Sequence, residues 1–272
     1  MFNIPNLRNS YSIFAAGLSF YSLLHPLKKV KNQRSLYNDG FLVLENFFSP
    51  EQCNELIQLF DDLEQSCAIT YGSDRRIFGL DLVSDIHRDL VGKNKKAHEI
   101  GTSYIGSDLE LVTTLGGKVK RDPDNLGSGG GWHRDSFLSQ FKMIVYLTDV
   151  DEDNGPFQYV NGSNLLRGKL KDASYRDKGD IRNPRYEDEY VRMLVGKKGF
   201  DLTTFTGKAG TAILCDTSGI HRGMPVVNGT RYAVTNYYKS KSLLWKRNGD
   251  GIIDKLAQET AAKVNKQKSS ND

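Results

Sequence analysis

Apolar positions change their spacing twice along the chain. In "SPEQCNELIQLFDDLEQ", Leu56, Ile57, Phe60 and Leu63 recur at the three- and four-residue steps of a helix with one buried face. Ser49 is placed to cap that helix, Pro50 suits its first position, and Gln52 closes a capping box. Phe41 to Leu44, just before it, form an apolar run of strand length. From about Ser103 the texture changes. "LELVTTL", "KMIVYLTDV", "PFQYV", "FDLTTFT", "TAILCD" and "RYAVTNYY" are short, strand-like and bounded by Gly, Asn, Asp or Pro. They predict an antiparallel sandwich or barrel. After Tyr238 the spacing is helical again, through Ile252, Ile253, Leu256 and Ala257, and the polar "KVNKQKSSND" predicts a frayed tail.

These patterns divide the chain into a helical extension over 1–35, a β domain over 36–245, and a C-terminal helix with polar tail over 246–272. Within the β domain, the stretch of about 165–200 is dense in charge and tyrosine. Arg167, Lys169, Lys171, Arg176, Arg182 and Arg185 interleave with Tyr175, Tyr186 and Tyr190. It predicts a surface excursion or lid, open to an anionic substrate, although Asp172, Asp177, Asp180 and Glu187 offset part of its charge. The apolar "YSIFAAGLSFYSLLHPL" is interrupted by Ser12, Ser19, Ser22 and His25. It is too short to span a bilayer and lacks a cleavage site, so it reads as a helix packed on the domain.

Composition narrows the classes. Lys and Arg total 37 against 33 Asp and Glu, a net charge of +4, which excludes the dense basic stripe of a nucleic-acid binder. Three scattered cysteines, Cys53, Cys67 and Cys215, form no CxxC pair and read as buried thiols of a cytoplasmic protein.

Of five histidines, His25, His87 and His98 read as structural or solvent-exposed, His87 and His98 in a polar, helix-like region. His133 and Asp135 are two apart, so on an extended strand both face the same way. An imidazole and a carboxylate suit a cation such as Fe(II), and a third ligand is needed. His221, after the strand-like "TAILCD" and a turn, fits that place. Arg231 lies ten residues on, in a strand-like run that returns toward the site, and arginine suits two-pronged capture of a carboxylate. Gly127 and Gly129 to Gly131 form a candidate mobile rim ahead of Trp132, which is expected to pack behind the ligand strand. Alternation along "KMIVYLTDV" puts Ile144, Tyr146 and Thr148 on one face, where Ile144 and Tyr146 would flank a bound co-substrate.

"WHRD", "VYLTDVDEDNGPFQYVNGSN" and "GIHRGMPVVNGTRYAVTNYY" together resemble the phytanoyl-CoA dioxygenase family of Fe(II)/2-oxoglutarate oxygenases, over roughly Gly40 to Lys239. The resemblance implies a mainly β fold with flanking helices around a double-stranded β-helix, the jelly-roll or cupin-like core. It implies iron at His133, Asp135 and His221, and Arg231 on the remote carboxylate of 2-oxoglutarate. A basic residue ahead of the HxD motif, Lys118 or Lys120, would also touch the co-substrate. Dioxygen and a small-molecule substrate complete the expected partners. Two positions depart from the family's turn: Asn161 stands where proline is usual and Asn164 where histidine is usual. The intact Asp135 points to hydroxylation rather than halogenation. Desaturation, epimerisation and ring closure remain open on the same site, as does a non-catalytic jelly-roll module.

Overall fold

The computed structural model describes residues 33–122, 124, 126–176, 183–241 and 250–271. The apolar segment near the N-terminus, with His25, lies outside them. Strands form where side chains alternate between two apolar environments. On β1 (Phe41–Leu44), β2 (Ile69–Tyr71), β3 (Asp74–Ile77), β4 (Leu109–Lys120), β5 (Phe141–Tyr146), β8 (Ala212–Asp216) and β10 (Thr230–Ser240) this gives one antiparallel sheet. Its order is β1-β8-β5-β10-β4-β3-β2. A second antiparallel sheet, β7-β6-β9, is built from β6 (Phe157–Val160), β7 (Leu202–Phe205) and β9 (His221–Gly223).

The two faces of the large sheet have different tasks. Met143, Val145, Ala212, Leu214 and Val234 turn outward and pack against Leu56, Ala97 and Ile100. Those come from α2 (Pro50–Cys67) and α4 (Lys95–Ile105), which follow α1 (Arg34–Asn38) and α3 (Leu80–Val83). Ile213, Cys215 and Tyr146 turn inward and meet Phe157, Tyr159 and Phe205 of the small sheet. Each fully buried valine, leucine, isoleucine or methionine among them contributes about 2 kcal/mol through its removal from water. The fold is therefore the expected jelly roll: two antiparallel sheets face to face, with helices outside.

The capping box of α2 forms. Ser49 Oγ accepts from Gln52 N at 3.3 Å, and Gln52 Oε1 accepts from Ser49 N at 2.9 Å. The charged insertion differs from a bare excursion: it holds α5 (Leu166–Tyr175) and α6 (Asp188–Lys198). The C-terminal tail differs too. Helix α7 (Asp250–Asn271) continues through the polar stretch expected to fray, because Val264 is buried beside Phe60, Ile77 and Leu80. No helix among the described residues is long and apolar enough to cross a membrane.

Candidate active site

Glycine shapes the approach to the first ligand. Gly127, Gly129, Gly130 and Gly131 all adopt positive φ, between 70° and 90°, a region that side chains disfavour. A Cβ on Gly129 would overlap the His133 ring. The expected mobile rim is thus a tight roof lying on the first imidazole. Beyond it the chain runs extended. His133 exchanges two 2.9 Å backbone hydrogen bonds with His221, and Asp135 N donates to Thr217 O at 3.0 Å. This pairing brings the three side chains to one point, their ligand atoms all within 4.8 Å of one another. His133 Nε2 lies 3.6 Å from Asp135 Oδ1, and His221 Nε2 lies 3.6 Å from Asp135 Oδ2.

The outward nitrogens fix both imidazoles. His133 Nδ1 is 2.8 Å from Gly131 O and His221 Nδ1 is 2.9 Å from Gly219 O. A carbonyl only accepts, so each Nδ1 carries the proton and each Nε2 offers a lone pair inward. Burial pushes the His221 pKa down to about 3, with His133 adding to the effect, and burial also lowers that of His133. Burial would raise the Asp135 carboxyl, but Lys142 and then the two imidazoles outweigh it and hold it well below the usual carboxylate range. Lys142 Nζ lies 2.8 Å from Asp135 Oδ2 and 3.7 Å from the Tyr237 ring centroid. Oδ2 is buried and meets this ammonium as an ion pair. Two neutral imidazoles and one such carboxylate fit a facial Fe(II) site.

The three groups open on a cavity of about 250 Å³. Arg231, Ile144 and Tyr146 line it. Arg231 is buried, donates through Nη1 to Gly155 O, and keeps a buried Nε with no partner. Tyr146 supplies ring surface only: its hydroxyl donates to Phe205 O at 2.9 Å and accepts from Phe157 N at 2.8 Å. Thr148 lies past the end of β5, where its Oγ1 accepts from Tyr232 N at 3.2 Å. Lys120 and Lys118 are not brought to the site. Leu115, Gly117 and Val119 give the cavity face of β4, so the lysines point to the opposite face. Lys118 pairs there with Asp61 at 2.8 Å and Glu64 at 2.6 Å, and Lys120 is exposed.

Sequence reasoning missed three residues in the cavity and one behind it. Lys142 shares the alternation phase of Ile144 and Tyr146, so its place was readable. Arg76 and Asp74 come from β3, whose "DRRI" carries no strand pattern. Behind the ligands, Arg134 points away from the metal position and is fully buried. It donates to Tyr186 Oη at 2.6 Å, to the Ser163 and Ser218 carbonyls, and to Asp172 at 3.2 Å. Trp132 is buried as expected, under Val191 and Leu194 of α6, with the Arg222 guanidinium 4.4 Å above its ring. The two departures from the family turn lie off the cavity. Asn164 Nδ2 donates to Tyr104 Oη at 3.1 Å, and Asn161 Oδ1 accepts from Thr203 Oγ1 at 2.9 Å. His87 and His98 are structural, at 3.0 Å from Ser84 Oγ and 2.9 Å from Leu109 O.

Known proteins share this arrangement of chain. An ectoine dioxygenase of Bordetella bronchiseptica is 26% identical over 212 residues, covering 69% of this chain and 67% of the relative. The fold matches the epimerase SnoN from nogalamycin biosynthesis, solved with Fe3+, alpha ketoglutarate and nogalamycin RO, with a TM-score of 0.61 at 17% identity. That match covers 82% of this chain and 88% of SnoN. EctD from S. alaskensis with bound Fe matches with a TM-score of 0.58 at 18% identity, covering 78% and 76%. The sequence model of the phytanoyl-CoA dioxygenase (PhyH) family matches residues 36–231, a span holding His133, Asp135, His221 and Arg231. This chain belongs to the phytanoyl-CoA dioxygenase family.

Proposed function

We propose that the protein is an Fe(II)/2-oxoglutarate-dependent dioxygenase that hydroxylates a C–H bond of a small metabolite, with release of succinate and carbon dioxide. One observation carries the reading. Two anchored imidazoles and a carboxylate converge on a cavity whose wall holds a buried arginine with an unpartnered nitrogen.

His133, Asp135 and His221 would hold Fe(II) on one face. A facial set of this kind would leave the metal room for 2-oxoglutarate and dioxygen. When bound, the iron supplies dioxygen activation coupled to decarboxylation of 2-oxoglutarate. The chain supplies the rest. Gly131 O and Gly219 O keep both Nε2 lone pairs aimed inward. Arg231 fixes the distal carboxylate of 2-oxoglutarate as a charged, directional donor. Ile144 and the Tyr146 ring form a wall that excludes water. Three buried free thiols, Cys53, Cys67 and Cys215, support placement in a reducing cytoplasm.

Succinate release from 2-oxoglutarate with Fe(II) tests the assignment. His133→Ala is expected to abolish it, and undiminished decarboxylation in that variant would sink the reading. Arg231→Gln is expected to raise the KM for 2-oxoglutarate at least about tenfold, the loss of a charge-assisted pair. Product mass separates outcomes. A gain of one oxygen supports hydroxylation, while a loss of two hydrogens supports desaturation or ring closure.

A further inference from the structure

The cavity carries more positive charge than the proposed co-substrate balances. Among the described residues it is lined by Arg76, Lys142, Arg185 and Arg231 against Asp74 and Asp135. Three of these cations have counter-charges. Arg76 reaches Asp74 at 2.5 and 2.9 Å. Lys142 lies 2.8 Å from Asp135. Arg231 answers to the distal carboxylate of 2-oxoglutarate. An Fe(II) ion and a 2-oxoglutarate dianion cancel, so loading the site leaves its surplus in place. No carboxylate among the described residues pairs with Arg185.

Arg185 is held rather than loose. Its backbone bridges antiparallel to His133. Its N–H donates to Asn183 Oδ1 at 3.0 Å, and its carbonyl accepts from Arg176 Nη2 at 3.2 Å. Its Nη1 donates to the carbonyls of Gly129 and Gly130, the latter at 2.9 Å. A Cβ on Gly130 would come within 3.2 Å of Nη1, so glycine leaves the guanidinium its place. Its charge also opposes protonation of His133. The residue is exposed and lines the cavity, so it stands at the mouth. Its Nε and Nη2 meet no acceptor among the described residues. That edge is the fork that grips a carboxylate or phosphate with two parallel hydrogen bonds.

We propose that Arg185 is an anion-binding residue at the cavity mouth, selecting a substrate that carries a carboxylate or phosphate group. This rests on the dioxygenase reading above. The glycine roof spaces the anion from the metal, so the oxidised C–H lies a short distance along the substrate from its charged group. The neighbouring lysines and arginines of the insertion raise the local concentration of anions without fixing them.

The test loads the protein with Mn(II) and saturating 2-oxoglutarate, then titrates inorganic phosphate and acetate separately. Paramagnetic broadening of the phosphorus and carbon NMR lines reads an anion held near the metal. The expected result is saturable broadening by at least one probe, with apparent affinity at least about tenfold weaker in Arg185→Gln. Arg185→Lys should recover part of it, because the charge returns without the fork. Both variants should keep the thermal midpoint and the 2-oxoglutarate affinity of the native protein. Phosphate alone, acetate alone or both responding would each support the site and name its anion. Equal broadening in native protein and Arg185→Gln, or none with either probe, would overturn it. Failure to bind Mn(II) and 2-oxoglutarate at all would overturn the dioxygenase reading instead.

Discussion

Gly129 has almost no freedom to change. Its φ is +89°, and any Cβ there would drive into the His133 ring. Gly129→Ala is expected to turn that imidazole off the metal and weaken Mn(II) binding at least about tenfold by calorimetry. The far-ultraviolet circular dichroism should not change, because the strain is confined to one loop. Gly196 is the contrast. It lies inside α6, and a Cβ there meets nothing within 4 Å. Gly196→Ala should stabilise the protein by about 0.5–1 kcal/mol in urea unfolding, through lost backbone freedom in the unfolded chain. One residue type serves opposite ends: in the roof it is required by shape, and in the helix it is a dispensable weakness.

Elements were legible where one periodicity met one environment. The Ser49–Gln52 box and the apolar face of α2 could be read because the cap and the stripe are local. The phase of β5 and β10 could be read because apolar residues alternate there with chemistry-bearing ones, and that phase carries Ile144, Tyr146 and Arg231 to the cavity. The same phase contains Lys142, hidden only because a lysine on a strand ordinarily meets solvent. Lys118 and Lys120 failed for the mirror reason: glycines at 116 and 117 hide which side of β4 faces in. Strand β3 could not be foreseen, since its Asp74–Arg76 pair is held to the sheet by a partner distant in sequence: Ser128 Oγ donates to Asp74 Oδ2 at 3.0 Å and accepts from Arg76 Nη2 at 3.4 Å. Arg134 belongs to this class. Its pairing with Asp172 joins α5 to the ligand segment, and both side chains are buried. Asp172→Ala would strand a buried guanidinium. It should cost about 3 kcal/mol in chemical denaturation, well above the value for an exposed ion pair. A loss under 1 kcal/mol would show that Tyr186 and the two carbonyls suffice.

At the scale of the molecule, stability depends on keeping histidines neutral. His87, in the π-helical turn His87–Gly92, is buried away from the site, and burial lowers its pKa to about 4. The unfolded chain takes up that proton near the ordinary histidine value of about 6.5. Stability is therefore whole above about pH 6.5 and declines as pH falls toward 4, by up to about 3 kcal/mol from this residue. His221 declines over an overlapping window, so the comparison of interest is with His87→Leu. That variant should unfold with a shallower pH slope between 6.5 and 4 in thermal scans at several buffers; an identical slope would remove His87 from the account.

The HxD triplet joins two parts often treated as exchangeable. Its outer residues face the metal position, and its middle residue, Arg134, is bolted to the insertion through Asp172 and Tyr186. The insertion is therefore not a detachable cassette. A chimera that imports the corresponding segment from another family member would have to bring an acid and a phenol to meet Arg134. Without them it would lose the ligands' backing along with the old specificity. Engineering new selectivity here means editing side chains within the native insertion, and Arg185, between its two helices, is the first of them.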